Sequence, residues 1–200
     1  MSAQCQYLAN YLKDNYSGNG KCLIILPPEN TYKPRKLNTV AQIDALKEGF
    51  ANKITDIKTV PVKQAYVKPE DPYPDELFEP TAEDFNKVLK ENEDCDLVII
   101  MAYLPDEDDI YNISLFKEKS EDETRATVGI INGSINESTE ILLEENAIAA
   151  MTSRSTKPII QEEAAPDSYT EAFDKRYLLI NPKNMASLKK KYPKLFPKQK

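Results

Sequence analysis

Short, uninterrupted apolar runs separated by helical patterns constrain this chain more than any other feature. Cys22-Leu23-Ile24-Ile25-Leu26, Leu97 to Ala102, Ala126 to Ile131, Ala147 to Met151 and Tyr177 to Ile180 contain no charged residue. A strand that faces water on one side alternates apolar and polar side chains, whereas a strand buried on both faces does not. Turn signals close several of the runs: Pro27-Pro28 after the first, Leu104-Pro105 after the second, Asn132-Gly133-Ser134 after the third and Asn181-Pro182 after the last.

Helical spacing fills the intervals. Tyr7, Leu8, Tyr11 and Leu12 paint one face of a first helix, and Leu37, Val40, Ile43, Leu46 and Phe50 paint a second. Thr81 reads as the N-cap of a third helix bearing Phe85, Val88 and Leu89. Ile113, Leu115 and Phe116 anchor a short helix between two acidic runs. Asn136 or Ser138 caps the helix of Ile141, Leu142 and Leu143. A helix around Tyr169 and Phe173 and a closing one with Met185, Leu188 and Tyr192 complete the series.

Strands alternating with helices, and buried on both faces, predict a three-layer α/β/α sandwich around a mostly parallel sheet of five or six strands. Ile54 to Val62 is extended but carries interspersed charges and Pro61, which places it at a sheet edge. The expected order is therefore 2-1-3-4-5, with the sixth strand near the far edge. Leu23, Ile25, Val98, Ile100, Val128, Ile130, Ile148 and Leu179 are the expected core.

The 200 residues fit a single α/β domain over 1–200, with a proline-rich loop at 64–80 and a basic tail at 193–200. A net charge of −7 repels phosphodiester backbones, so nucleic acid is not an expected partner. No apolar run approaches the ~18–20 residues that span a bilayer, so a soluble, acidic protein without a transmembrane segment is expected. As it stands the sequence reads as cytoplasmic. A helix starting within four residues of Met1, as after removal of a leader, leaves export open. Cys22 and Cys95 belong to no C-x-x-C pair and read as small buried hydrophobes, although strands placed side by side would also bring them within reach of a disulfide.

The chain contains no histidine. That excludes Ser-His-Asp and Cys-His catalysis and histidine-bound zinc. Gly18-Asn19-Gly20 precedes the first strand, whereas a dinucleotide fingerprint must follow it, and no Gly-rich loop ends in Gly-Lys-Ser or Gly-Lys-Thr. Gly133-Ser134-Ile135-Asn136 lacks the nucleophile-elbow pattern. The run Asp106-Glu107-Asp108-Asp109 lacks the alternating spacing and glycine of a calcium loop and reads as a solvated acidic turn. No cofactor is expected, and enzymatic activity is not favoured.

In open parallel sheets ligands sit beyond the carboxyl ends of the strands. Asn30, Asp106, Asn132, Ser134 and Arg154 follow strand ends and are the candidate ligand-binding residues. Arg154, set among hydroxyls in Thr152-Ser153-Arg154-Ser155-Thr156, suits a carboxylate or phosphate. Its plainer role is a surface salt bridge.

Three strand-to-loop transitions, Cys22 to Pro27, Asp96 to Met101 and Thr127 to Ser134, resemble those in the α/β lobes of type I periplasmic solute-binding proteins. The resemblance covers most of the chain at the level of element order. It implies a non-enzymatic domain that binds a small polar or anionic molecule. Such proteins usually close two lobes on their ligand, and 200 residues are closer to one. The alternatives are a protein-interaction or structural domain, with a homodimer supplying the missing lobe, or a histidine-independent enzyme using carboxylates, Lys, Tyr or a metal.

Overall fold

A computed structural model describes residues 2–27, 33–62, 80–116, 126–131, 135–145, 147–153 and 168–197. Six strands form one sheet: β1 (Lys21–Leu26), β2 (Asp56–Pro61), β3 (Leu97–Ile100), β4 (Thr127–Ile131), β5 (Ala147–Ser153) and β6 (Tyr177–Ile180). Their order is β2-β1-β3-β4-β5-β6. The first five are parallel and β6 is antiparallel to β5, pairing Tyr177 with Ser153 and Ile180 with Ala150. The chain thus re-enters the sheet at the edge where β5 left it. The proline-rich loop expected at 64–80 lies, except for Pro80, outside the described residues.

Six helices cover the sheet: α1 (Ser2–Asn15), α2 (Lys33–Phe50), α3 (Ala82–Glu91), α4 (Glu137–Glu145), α5 (Tyr169–Arg176) and α6 (Met185–Lys191). Successive residues of a strand point to opposite faces, and the two resulting cores are distinct. Leu23, Ile25, Val98, Ile100, Val128 and Ile130 pack against Phe85 and Val88 of α3, Leu142 and Leu143 of α4 and Met185 of α6. Cys22, Ile24, Leu97 and Ile99 pack on the other face against Leu8 and Leu12 of α1, Leu46 and Phe50 of α2 and Phe173 of α5. This is the three-layer sandwich the apolar runs require.

Two sequence expectations change. Leu179 is only half-buried: it packs at the margin of the second core on this edge strand, while Leu178 and Ile180 face the first. The side chain of Ile148 lies outside the described residues. A Cys22–Cys95 disulfide is ruled out by side: Cys22 belongs to one core, Cys95 to the other, and both are free thiols. Burial pushes the Cys22 thiol well above its usual range and that of Cys5 up to about 12, as for inert core cysteines.

Candidate functional site

The carboxyl edge of β3 and β4 holds the candidate site. After β3, Met101 and Ala102 still donate backbone N–H groups to the Ile25 carbonyl, at 2.8 and 3.2 Å, which keeps the departing chain beside β1. Leu104 is then buried, and the acidic run begins.

That run is not merely solvated. Asp106 Oδ1 accepts backbone N–H groups from Asp108 at 3.2 Å and Asp109 at 2.9 Å, and its carbonyl accepts from Ile110 at 3.0 Å. Asp106 therefore starts a turn that leads into 3-10 helices at Ile110–Asn112 and Ser114–Phe116, where one short helix was expected. Asp109 Oδ2 accepts the N–H of Ala82 at 2.6 Å, satisfying a donor at the start of α3. That bond and one from the Asn112 amide hold the Asp109 carboxyl below its usual range. Asn86 completes the tie, donating to the Asn112 carbonyl at 2.8 Å and accepting from Ser114 N at 2.5 Å.

The opposite wall begins where α4 starts. Asn136 is its cap, with Oδ1 accepting from the backbone N of Thr139 at 2.9 Å and the Thr139 hydroxyl at 2.6 Å. Ser138, the alternative cap, instead donates its buried hydroxyl to the Pro105 carbonyl at 2.6 Å. This bond fastens α4 to the segment leaving β3. Between the walls lies an open cleft of about 310 Å³ lined by Leu104, Pro105, Asp106, Glu107, Asn136, Glu137 and Ser138.

Of the five candidate residues, Asp106 lines this cleft. Asn30, Asn132, Ser134 and Arg154 lie outside the described residues, while the strands preceding them end at the same edge. Glu107, Glu137 and Ser138 were not singled out as site residues. Their signal is positional: they flank the ends of two adjacent parallel strands. Among the described residues no three His, Cys, Asp or Glu side chains converge to hold a metal ion. A second opening of about 410 Å³, lined by Lys47, Ala51, Ile54, Thr55 and Ile57, lies at the other end of the sheet, between the end of α2 and the start of β2. It is larger, but it offers few convergent polar groups.

No family model and no curated protein matches the chain. Solved structures do match it. One is a periplasmic ribose ABC transporter from Conexibacter woesei, 11% identical over 95% of this chain and 60% of that one, with a TM-score of 0.54. A second is a carbohydrate transporter from Acidothermus cellulolyticus in complex with myo-inositol, 11% identical over 96% and 61%, with a TM-score of 0.54. A third, from Bacteroides fragilis, is described as a LacI transcriptional regulator and is 11% identical over 93% and 61%, with a TM-score of 0.52. The chain spans about three fifths of the length of each. Its fold is that of a type I periplasmic-binding-protein lobe.

Proposed function

We propose that this chain is a non-enzymatic binding lobe for a small polar molecule of the sugar or polyol class, held at the carboxyl edge of β3 and β4. The carrying observation is the cleft, which lies at two adjacent strand ends and is lined by the polar Asp106, Glu107, Asn136, Glu137 and Ser138 beside the apolar Leu104 and Pro105. Its volume stands at the lower end of the ~300–1,000 Å³ usual for small-molecule pockets. A neighbour of the same fold binds myo-inositol, a compact polyol. Asp106, Glu107 and Glu137 line the cleft. Carboxylates accept hydrogen bonds from hydroxyls and repel anions, so a neutral polyhydroxylated ligand suits these walls better than an anionic one.

The single domain over residues 1–200 belongs to the same reading. So does the completion of the rim by Asn30, Asn132, Ser134 and Arg154, since β1, β4 and β5 deliver the chain to that edge. Arg154 would then serve ligands that carry a carboxylate beside their hydroxyls.

Thermal unfolding against a panel of monosaccharides, inositols and sugar acids tests this. A ligand at 100 times its Kd adds about 2.7 kcal/mol to the native state. Glu137→Gln should weaken the response to neutral sugars, and Arg154→Met only that to sugar acids. A panel in which nothing raises the Tm would remove the reading. One observation favours a protein-interaction lobe instead: Tyr103, on the segment leaving β3, is 70% exposed. Tyrosine combines an apolar face with a polar tip, as interfaces use it. Tyr103→Ala abolishing capture of a protein while leaving sugar responses absent would support that alternative.

A further inference from the structure

Residues 16–20 join α1 to β1 at the end of the sheet opposite the cleft, and they contain Gly18-Asn19-Gly20. Asn-Gly is the dipeptide most prone to lose ammonia spontaneously, because glycine has no side chain to shield its own backbone nitrogen. That nitrogen attacks the side-chain amide of the asparagine before it. The N–H proton leaves to solvent base, the nitrogen bonds to Cγ, and the Cγ–Nδ2 bond breaks to release ammonia. Water then opens the succinimide ring, at the main-chain carbonyl to leave isoaspartate or at Cγ to leave aspartate.

The turn requires this labile pair. Gly20 has a φ of 86°, a conformation that favours glycine, and its carbonyl accepts from Thr55 N and Asp56 N where β2 begins. Asn19 Oδ1 accepts the N–H of Lys21, the first residue of β1, at 2.9 Å, which is an Asx turn. Asn19 is exposed, so water and base reach its amide.

The attacking nitrogen, however, is engaged. Gly20 is buried and its N–H donates to the Tyr16 hydroxyl at 2.8 Å. That hydroxyl donates to Asp96 Oδ1, while Asp96 Oδ2 accepts Asn19 N at 2.5 Å. Burial, then the bond to Asp96, pushes the Tyr16 pKa up to about 12, so its hydroxyl is no base at neutral pH. The negative charge that must develop on the Gly20 nitrogen would form near the Asp96 carboxylate, away from water, where like charges repel strongly. The side-chain amide is held as well, since Nδ2 donates to the Asp94 carbonyl at 3.4 Å while Oδ1 holds Lys21 N.

We propose that Asn19 is a spontaneous deamidation site kept closed by the Tyr16 and Asp96 hydrogen bonds, so that its conversion records opening of the amino edge of the sheet. The change is one-way. Isoaspartate adds a methylene to the backbone of the turn and a carboxylate next to Asp94 and Asp96, so the bonds to Asp96 and Lys21 are not remade in the same geometry. This site is independent of the cleft.

The test is incubation of the full chain at mildly alkaline pH, folded and in urea, followed by peptide mapping for isoaspartate. Asn19 should persist in the folded chain and convert in urea. Asn132-Gly133, the other Asn-Gly of the sequence, serves as reference in the same digests. Tyr16→Phe should accelerate conversion of residue 19 in the folded chain at least about five-fold, the low end of what stranding the Gly20 N–H costs, with no acceleration at Asn132. Circular dichroism reports whether that variant folds. Asp96→Asn, which keeps the shape but removes the charge, should also accelerate conversion and provides the same test if Tyr16→Phe does not fold. Conversion of Asn19 in the folded chain as fast as in urea, a folded variant with an unchanged rate at residue 19, or an equal acceleration at Asn132 would overturn the proposal.

Discussion

Replacing Gly49 with alanine sets two well-known effects against each other. Gly49 lies in the last turn of α2, where alanine should stabilise the helix by ~0.5–1 kcal/mol because glycine loses more backbone freedom on folding. The packing of α1 on α2 opposes that gain. A Cβ built on Gly49 would lie 2.6 Å from the Ala9 Cβ and 2.8 Å from the Gln6 carbonyl oxygen. Carbon atoms in contact prefer about 3.5–4.0 Å, so the overlap is roughly 1 Å, and neither obstacle is the end of a flexible side chain. The helices must part, which loosens Leu8 and Leu12 against Leu46 and Phe50, all fully buried. Overpacking of this kind costs ~1–3 kcal/mol. The steric term wins, leaving Gly49→Ala destabilised by ~1–2 kcal/mol. Urea unfolding should show a lower midpoint at an unchanged slope. Adding Ala9→Gly should cost less in the Gly49→Ala background than alone, because it removes one of the two obstacles. A Gly49→Ala protein more stable than the parent would refute the close approach of α1 to α2.

Three further variants probe other joints. Thr81 accepts the N–H of Asp84 at 3.3 Å while Asp84 accepts the N–H of Thr81 at 3.0 Å; Thr81→Ala should cost about 1 kcal/mol in chemical denaturation. The buried Tyr16 hydroxyl donates to Asp96 and accepts the buried N–H of Gly20 at 2.8 Å. Burial, then the hydrogen bond to Asp96, pushes its pKa up to about 12. Tyr16→Phe strands that N–H and should cost ~1–3 kcal/mol, with Gly20 amide exchange accelerated; unchanged exchange would remove the clamp. Asp94 is held down at about 2 by Lys58 and then Lys21, which reach it at 2.8 and 2.9 Å. Its folded pKa is depressed, so the stability it contributes is present above the unfolded value of about 3.9 and is lost as pH falls through about 2. An NMR titration of Asp94 should move toward 3.9 in the Lys21→Gln/Lys58→Gln variant.

The sheet order was legible because each strand's polarity reports its place. β2, with charges and Pro61, lies at an edge, and the doubly apolar β1 and β3 lie inside. The reversal of β6 was not, because Tyr177 to Ile180 has the same apolar character whichever way it runs, and direction is set by the connection before it. The caps were half legible. Thr81 announces itself through Asp84 three residues on, whereas Asp109 acts on Ala82, 27 residues earlier, and no local pattern reveals that bond. The acidic run looked like solvated surface because its partners are backbone groups, which every sequence supplies and none displays. At the site, periodicity located the edge and Asp106, but not the wall made by α4. Ser138 reaches the Pro105 carbonyl across two elements, and its role follows from the pairing of β3 with β4.

The two ends of the sheet are built for different purposes. At the amino edge the strands are tied together by groups from the turns between them. Asp96 accepts from the Tyr16 hydroxyl and from Asn19 N at 2.5 Å, and its carbonyl accepts Thr127 N at 2.8 Å. Gly20 O accepts from Thr55 and Asp56 at 3.2 and 3.3 Å, and Asp94 joins Lys21 of β1 to Lys58 of β2. A Cβ at Gly18 would sit 2.0 Å from Asp96 Oδ2, so even a methyl group there would break the arrangement. Those bonds fix β1, β2, β3 and β4 relative to one another at one end. At the carboxyl edge, between β3 and β4, the described ties are the bond from Ser138 to Pro105 and the turn that Asp106 begins. The register set at the amino ends runs along the paired strands, so the residues beyond β3 and β4 can line a cleft. Ties at the amino edge are thus compatible with an open, polar cleft beside Asp106 at the carboxyl edge, which is the place proposed for a ligand.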